Sequence, residues 1–138
     1  MAARAALVEG EDWLNQLVAY IDGNHDFVES FLRENVPLIR YAKAQGTYLA
    51  WLDVSALVDR IGAKEQAAEA NRGRPAAARP VTAEMIVQDY LVKEAKVQIN
   101  AGTSYGLGGE GHMRMNIGTS RRTLELALAS VANALRRA

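Results

Sequence analysis

Residues 106–116 carry the side chains best suited to chemistry. Gly106-Leu107-Gly108-Gly109-Glu110-Gly111 satisfies G-x-G-x-x-G, and His112, Arg114 and Asn116 follow at alternate positions. A glycine loop of that spacing cradles a pyrophosphate when it leaves a strand and enters a helix whose N-terminus faces the anion. Here "HMRMNI" follows instead, with Met113, Met115 and Ile117 on one face and His112, Arg114 and Asn116 on the other. That alternation is a strand signature, so the phosphate reading fails. The glycines read as a wide hairpin-like connection that uses positive φ. Arg114 remains the candidate. It sits mid-strand, faces away from the methionines, and offers a planar fork that fits a carboxylate with two parallel bonds. The plain structural alternative is a solvated arginine on the outer face of an edge strand.

Several elements must position that strand. From Glu11 to Asn35, Leu14, Leu17, Val18, Ile21, Val28, Phe31 and Leu32 recur at helical spacing, interrupted by a polar notch at Gly23-Asn24-His25. One helix of about 25 residues spans nearly ~40 Å, long for a domain of this size to support alone. Its two apolar segments suit packing against two different bodies. Pro37 ends it. A short strand is expected near Leu38–Lys43. "TYLAWLDV" is apolar on both faces and reads as a buried central strand. Ala63–Asn71 suits a short helix, and Arg72–Pro80 an exposed loop. Thr82 caps a helix with Glu84 in its first turn and Ile86, Tyr90 and Leu91 inward. Strand "KVQIN", the glycine loop and "HMRMNI" follow. A final helix, capped by Thr119 or Ser120, turns Leu124, Leu128, Val131 and Leu135 inward. The order α-β-β-α-β-β-α predicts an α+β fold, a small mainly antiparallel sheet covered by helices and preceded by a long interdomain-type helix.

Composition removes whole classes of function. The 138 residues include 16 basic and 16 acidic ones, so the formal net charge is zero and no long-range field draws nucleic acid or an anionic membrane. The arginines at 72, 74, 79, 121 and 122 are not interleaved with aromatics, which argues against a nucleic-acid patch. There is no cysteine, hence no disulfide or thiolate site. His25 and His112 lie too far apart in sequence to suggest a zinc pair, so no metal is expected. No apolar run approaches the ~20 residues of a membrane span, the N-terminus lacks the apolar block of a signal peptide, and a cytoplasmic location is expected.

"WLNQLVAYIDGNHDFVESFL" (13–32), "GTYLAWLD" (46–53) and "VQDYLVKEAKVQINAGTSYGLGGEGHMRMNIGTSRRTLELAL" (87–128) together resemble the C-terminal small domain of fold-type I, pyridoxal-phosphate-dependent enzymes of the class I/II aminotransferase family. The closest branch is the cystathionine β-lyase-like, cysteine-S-conjugate C–S lyases of the MalY/PatB kind. The resemblance implies that residues 1–35 are a linking helix with a remnant of a large domain, and that 36–138 form the small domain, with 62–80 as a flexible insertion loop. It implies that Arg114 binds the substrate α-carboxylate and that Gly46, Tyr48 and Tyr105 border the substrate mouth. It also implies β-elimination from an amino acid with a sulfur leaving group, giving pyruvate, ammonia and a thiol, by a homodimeric complete enzyme carrying pyridoxal 5'-phosphate.

The Schiff-base lysine of that family commonly lies in an S-x-x-K context. Lys43, Lys64, Lys93 and Lys96 do not match it. The chain is thus expected to be a fragment lacking the cofactor-lysine domain, without catalytic or covalent cofactor-binding residues of its own, and inactive alone. Two other readings are open: an aminotransferase fragment of the same family, and a free-standing regulatory module that binds a small carboxylate. Without its neighbour, the stripe along 11–21 would be an exposed apolar patch prone to association.

Overall fold

The computed structural model describes residues 2–75 and 77–137, the side chain of residue 2 excepted. Helix α1 (Ala2–Glu9) leads through Gly10 into α2 (Glu11–Asn35), the single 25-residue helix that the periodicity predicts. Then come β1 (Leu49–Asp53), α3 (Ser55–Arg60), α4 (Ala63–Asn71), α5 (Ala83–Tyr90), β2 (Asn100–Ala101), β3 (His112–Asn116) and α6 (Arg121–Leu135). A π turn over Leu91–Ala95 closes α5, and a 3-10 turn over Gly102–Tyr105 opens the glycine loop.

The sheet has three antiparallel strands in the order β1-β3-β2. This corrects two expectations. The segment 38–43 contributes only an isolated bridge, Arg40 to Asp53, because Pro37 and the tight turn after α2 leave no length for a ladder. The "TYLAWLDV" segment is an edge strand. Ala50 and Leu52 are buried, whereas Trp51 is 37% exposed on the outer face. Two apolar faces did not mean two buried faces, since the outer one is an aromatic platform. The central place belongs to β3, so Arg114 does not stand on an edge.

The inner face presents Ala50, Leu52, Ala101, Met113 and Met115 to a core built from Val28 and Leu32 of α2, Val87 of α5, and Leu124, Leu128 and Val131 of α6. Both capping expectations hold. Thr82 Oγ1 accepts from the Met85 amide at 3.4 Å, and Ser120 Oγ accepts from the Thr123 amide at 3.2 Å. α4 packs Ala63 and Ala67 inward, so part of the segment 62–80 is ordered helix. The Asn71 side chain grips Val81 through two hydrogen bonds, of 2.8 and 2.9 Å, closing the base of the loop between them.

The two halves of α2 differ. From Asn24 onward its inner face is buried, while Trp13, Leu14, Val18 and Tyr20 stand exposed. The polar notch is the fastening between the helix and the rest. Asn24 Nδ2 donates to the carbonyls of Ile117 and Thr119, both at 2.9 Å, and its Oδ1 accepts from Arg121 Nε at 3.0 Å. Arg121, unfavourable at the start of a helix on dipole grounds, is held there by Asn24 and by the Phe27 ring, 4.6 Å from its guanidinium carbon.

Candidate functional site

The glycine loop runs into β3 and not into a helix, as "HMRMNI" predicts. It crosses closely over itself. A Cβ on Gly109 would stand 2.2 Å from the Gly102 carbonyl oxygen, and one on Gly102 would stand 2.5 Å from the carbonyl oxygens of Gly109 and His112. What the glycines admit is the loop's own backbone, and the result is a compact turn beside the sheet. Buried Glu84 secures its far end, Oε1 accepting from the Gly111 amide at 2.7 Å.

Arg114 then projects from the outer face of β3, half-buried, with Trp51 opposite it on β1 and Asn100 opposite it on β2. The glycine loop lays Tyr105 over the guanidinium, whose carbon lies 4.2 Å from the ring centroid. Tyr105 meets Trp51 edge-on at 6.2 Å, and His112 stacks on Trp51 at 5.7 Å with planes 13° apart. His112 Nδ1 donates to the Glu110 carbonyl at 2.7 Å. Among the described residues Arg114 has no ion pair and no hydrogen-bonded partner, only the ring. An aromatic face covers a guanidinium from above and leaves its in-plane N–H groups available. Chemically, such an arrangement can take a planar anion edge-on.

Gly46 and Tyr48 lie in a different recess, a groove of about 290 Å³ between the segment 44–48 and the apolar stripe of α2, lined by Leu14, Leu17, Val18 and Ile21. The buried His25 shapes this segment. Its Nε2–H donates to the Thr47 carbonyl at 2.9 Å, while Nδ1 pairs with the Tyr41 hydroxyl at 2.5 Å. Thr47 is thereby held at φ 68°, a left-handed conformation costly for a β-branched residue. Burial pushes the Tyr41 hydroxyl above its usual phenol range, against the lowering effect of the Ala44 amide bonded to it. The structure thus joins Tyr105 to Arg114 and sets Gly46 and Tyr48 apart. Sequence reasoning missed Trp51 and His112 as members of the Arg114 cluster. Only the register, Leu49 facing Asn116, aligns position 51 with position 114.

No family model matches the chain. Individual proteins do. It is 35% identical over 134 residues to the cystathionine β-lyase PatB of Bacillus subtilis, a match covering 97% of this chain and 29% of that protein. The chain is homologous to the C-terminal part of the cystathionine β-lyases. The protein MalY of Escherichia coli is 29% identical over 96% of the chain and 28% of its own length. Among solved structures, the pyridoxal-phosphate-bound C–S lyase of Staphylococcus hominis superimposes with a TM-score of 0.71 at 26% identity, covering 95% of this chain and 29% of that one. The chain therefore spans less than a third of the length of these lyase relatives.

The residue type that would hold pyridoxal phosphate covalently is lysine, and the four lysines of this chain all have near neighbours as partners. Lys43 pairs with Asp22 and Asp26, Lys64 with Asp59 and Lys93 with Glu94, while Lys96 donates to the Lys93 carbonyl. None of these contacts joins a lysine to the Arg114 cluster. Among the described residues no helix is long and apolar enough to cross a membrane.

Proposed function

We propose that this chain is the substrate-binding part of a pyridoxal-phosphate-dependent C–S lyase, acting on amino acids that carry a sulfur leaving group, with Arg114 as the receptor for the α-carboxylate. One observation carries this reading: Arg114 stands at the centre of the sheet, half-buried, with a ring on one face and no anion among the described residues. A bidentate carboxylate would complete it, and the substrate would be oriented by the two bonds. Cofactor and lysine would come from another polypeptide segment, seated against the exposed stripe of Trp13, Leu14 and Val18. The work of this chain is then recognition. Gly46 and Tyr48 would border the mouth from the other side, and the complete enzyme would be a cytoplasmic homodimer.

The test is kinetic. In the complete enzyme, this chain together with the cofactor-bearing part it joins, Arg114→Ala should raise KM for L-cystathionine by roughly two orders of magnitude, the usual effect of removing one partner of a desolvated charge pair. An unchanged KM would refute the assignment. Pyruvate release identifies the lyase reaction, and keto-acid exchange without thiol release would identify transamination.

A further inference from the structure

Arg114 has four single bonds between backbone and guanidinium, and nothing charged among the described residues restrains it. A side chain of that length loses considerable rotamer freedom when it is held in one pose. Something must hold its plane if it is to present two parallel N–H groups. The aromatic cluster does this geometrically. Tyr105 lies face-on to the guanidinium at 4.2 Å, Trp51 meets Tyr105 edge-on, and His112 stacks on Trp51 and is itself pinned by the Glu110 carbonyl. These contacts run in series from a backbone carbonyl to the guanidinium. No hydrogen bond ties the Tyr105 hydroxyl among the described residues, so the ring is the working part.

We propose that Tyr105 is the positioning residue of Arg114, fixing the plane of the guanidinium before any carboxylate arrives, and that Trp51 and His112 buttress the Tyr105 ring. The proposal rests on the reading of Arg114 as the carboxylate receptor. Tyr105 then acts through Arg114 on substrate capture and plays no part in bond making or breaking. The ring sets binding, so its loss should appear in KM and spare kcat.

Two variants and two readouts decide it. In the 138-residue chain uniformly labelled with nitrogen-15, the Arg114 Nε–H signal should carry the ring-current shift of Tyr105. That shift should persist in Tyr105→Phe and vanish in Tyr105→Leu, with the Met113 and Ile117 amide signals in place as the check on folding. In the complete enzyme, Tyr105→Leu should raise KM for L-cystathionine about 3- to 10-fold, the scale of one cation–π contact, with kcat within about twofold of wild type. Tyr105→Phe should match wild type in both. An unchanged Arg114 signal in Tyr105→Leu overturns the proposal, as does a Tyr105→Phe that behaves like Tyr105→Leu. Arg114→Lys separates the two levels. If it leaves KM unchanged the carboxylate reading fails, whereas a large rise in KM beside a silent Tyr105→Leu leaves that reading standing and removes only the positioning role.

Discussion

Asn24 breaks the apolar stripe of α2 and Arg114 keeps to the polar side of β3, and their surroundings are opposite. Asn24 is fully buried and has its amide and carbonyl groups bonded to Ile117, Thr119 and Arg121. Arg114 is half-buried and rests on a ring, with no hydrogen bond from its guanidinium among the described residues. A satisfied buried polar group holds a fold together, whereas a half-exposed one without a protein partner keeps its donors open to solvent or to a ligand. Their positions are linked. Asn24 ties α2 to the carbonyls just after β3, so the group that fastens the helix also fixes the strand from which Arg114 projects.

Substitutions should separate the two regions. Asn24→Ala strands the buried Ile117 carbonyl and removes the partner of the half-buried Thr119 carbonyl and Arg121 Nε–H. It should lower stability by about 2–3 kcal/mol in urea denaturation, since each unsatisfied buried group costs about 1–3 kcal/mol. A loss near zero would mean that water replaces the side chain without penalty. Asp53→Asn should cost less, about 1 kcal/mol at most at neutral pH, because Asn can still accept from the Ser55 amide and only the charge that pairs with Arg40 is lost. Asp53 accepts from the Ser55 amide at 2.9 Å and pairs with Arg40 at 2.6 Å; the amide bond first, then the Ser55 side chain and the Arg40 contact, hold its carboxyl below the ordinary aspartate value against the opposing effect of burial. A depressed folded value places this stabilisation above the ordinary value, about pH 4, and removes it as pH falls through the folded one. The gap between wild type and Asp53→Asn should therefore close in acid. A gap that is constant down to pH 2 would assign it to packing. Smallest of all, Arg114→Ala should change stability by less than about 0.5 kcal/mol, because only a ring contact is lost. A large loss would make Arg114 a structural residue and erase the contrast.

Much of this was legible in the sequence. The extent of α2, both side-chain caps, the fate of the glycine loop and the outward direction of Arg114 follow from period and local chemistry, which act over a few residues. Pairing order did not follow. Whether Leu49–Asp53 is central or an edge depends on which strands find it, and a tryptophan at position 51 looks the same in a core and on an aromatic platform. The notch at Asn24-His25 was visible as an irregularity, but its partners lie up to 97 residues away. The homology was legible because the residues around Arg114 form a continuous stretch. The Trp51–Tyr105–His112 bracket was not, since two of its contacts cross strands and loop.

The central claim is that the donors of Arg114 are reserved for the carboxylate of an amino acid. A crystal structure of the complete enzyme with an unreactive amino acid such as L-alanine tests it most directly. The account predicts both carboxylate oxygens within hydrogen-bonding distance of the Arg114 guanidinium, with the Tyr105 ring still lying against it. A carboxylate held by some other cation, with Arg114 turned to solvent, would contradict it.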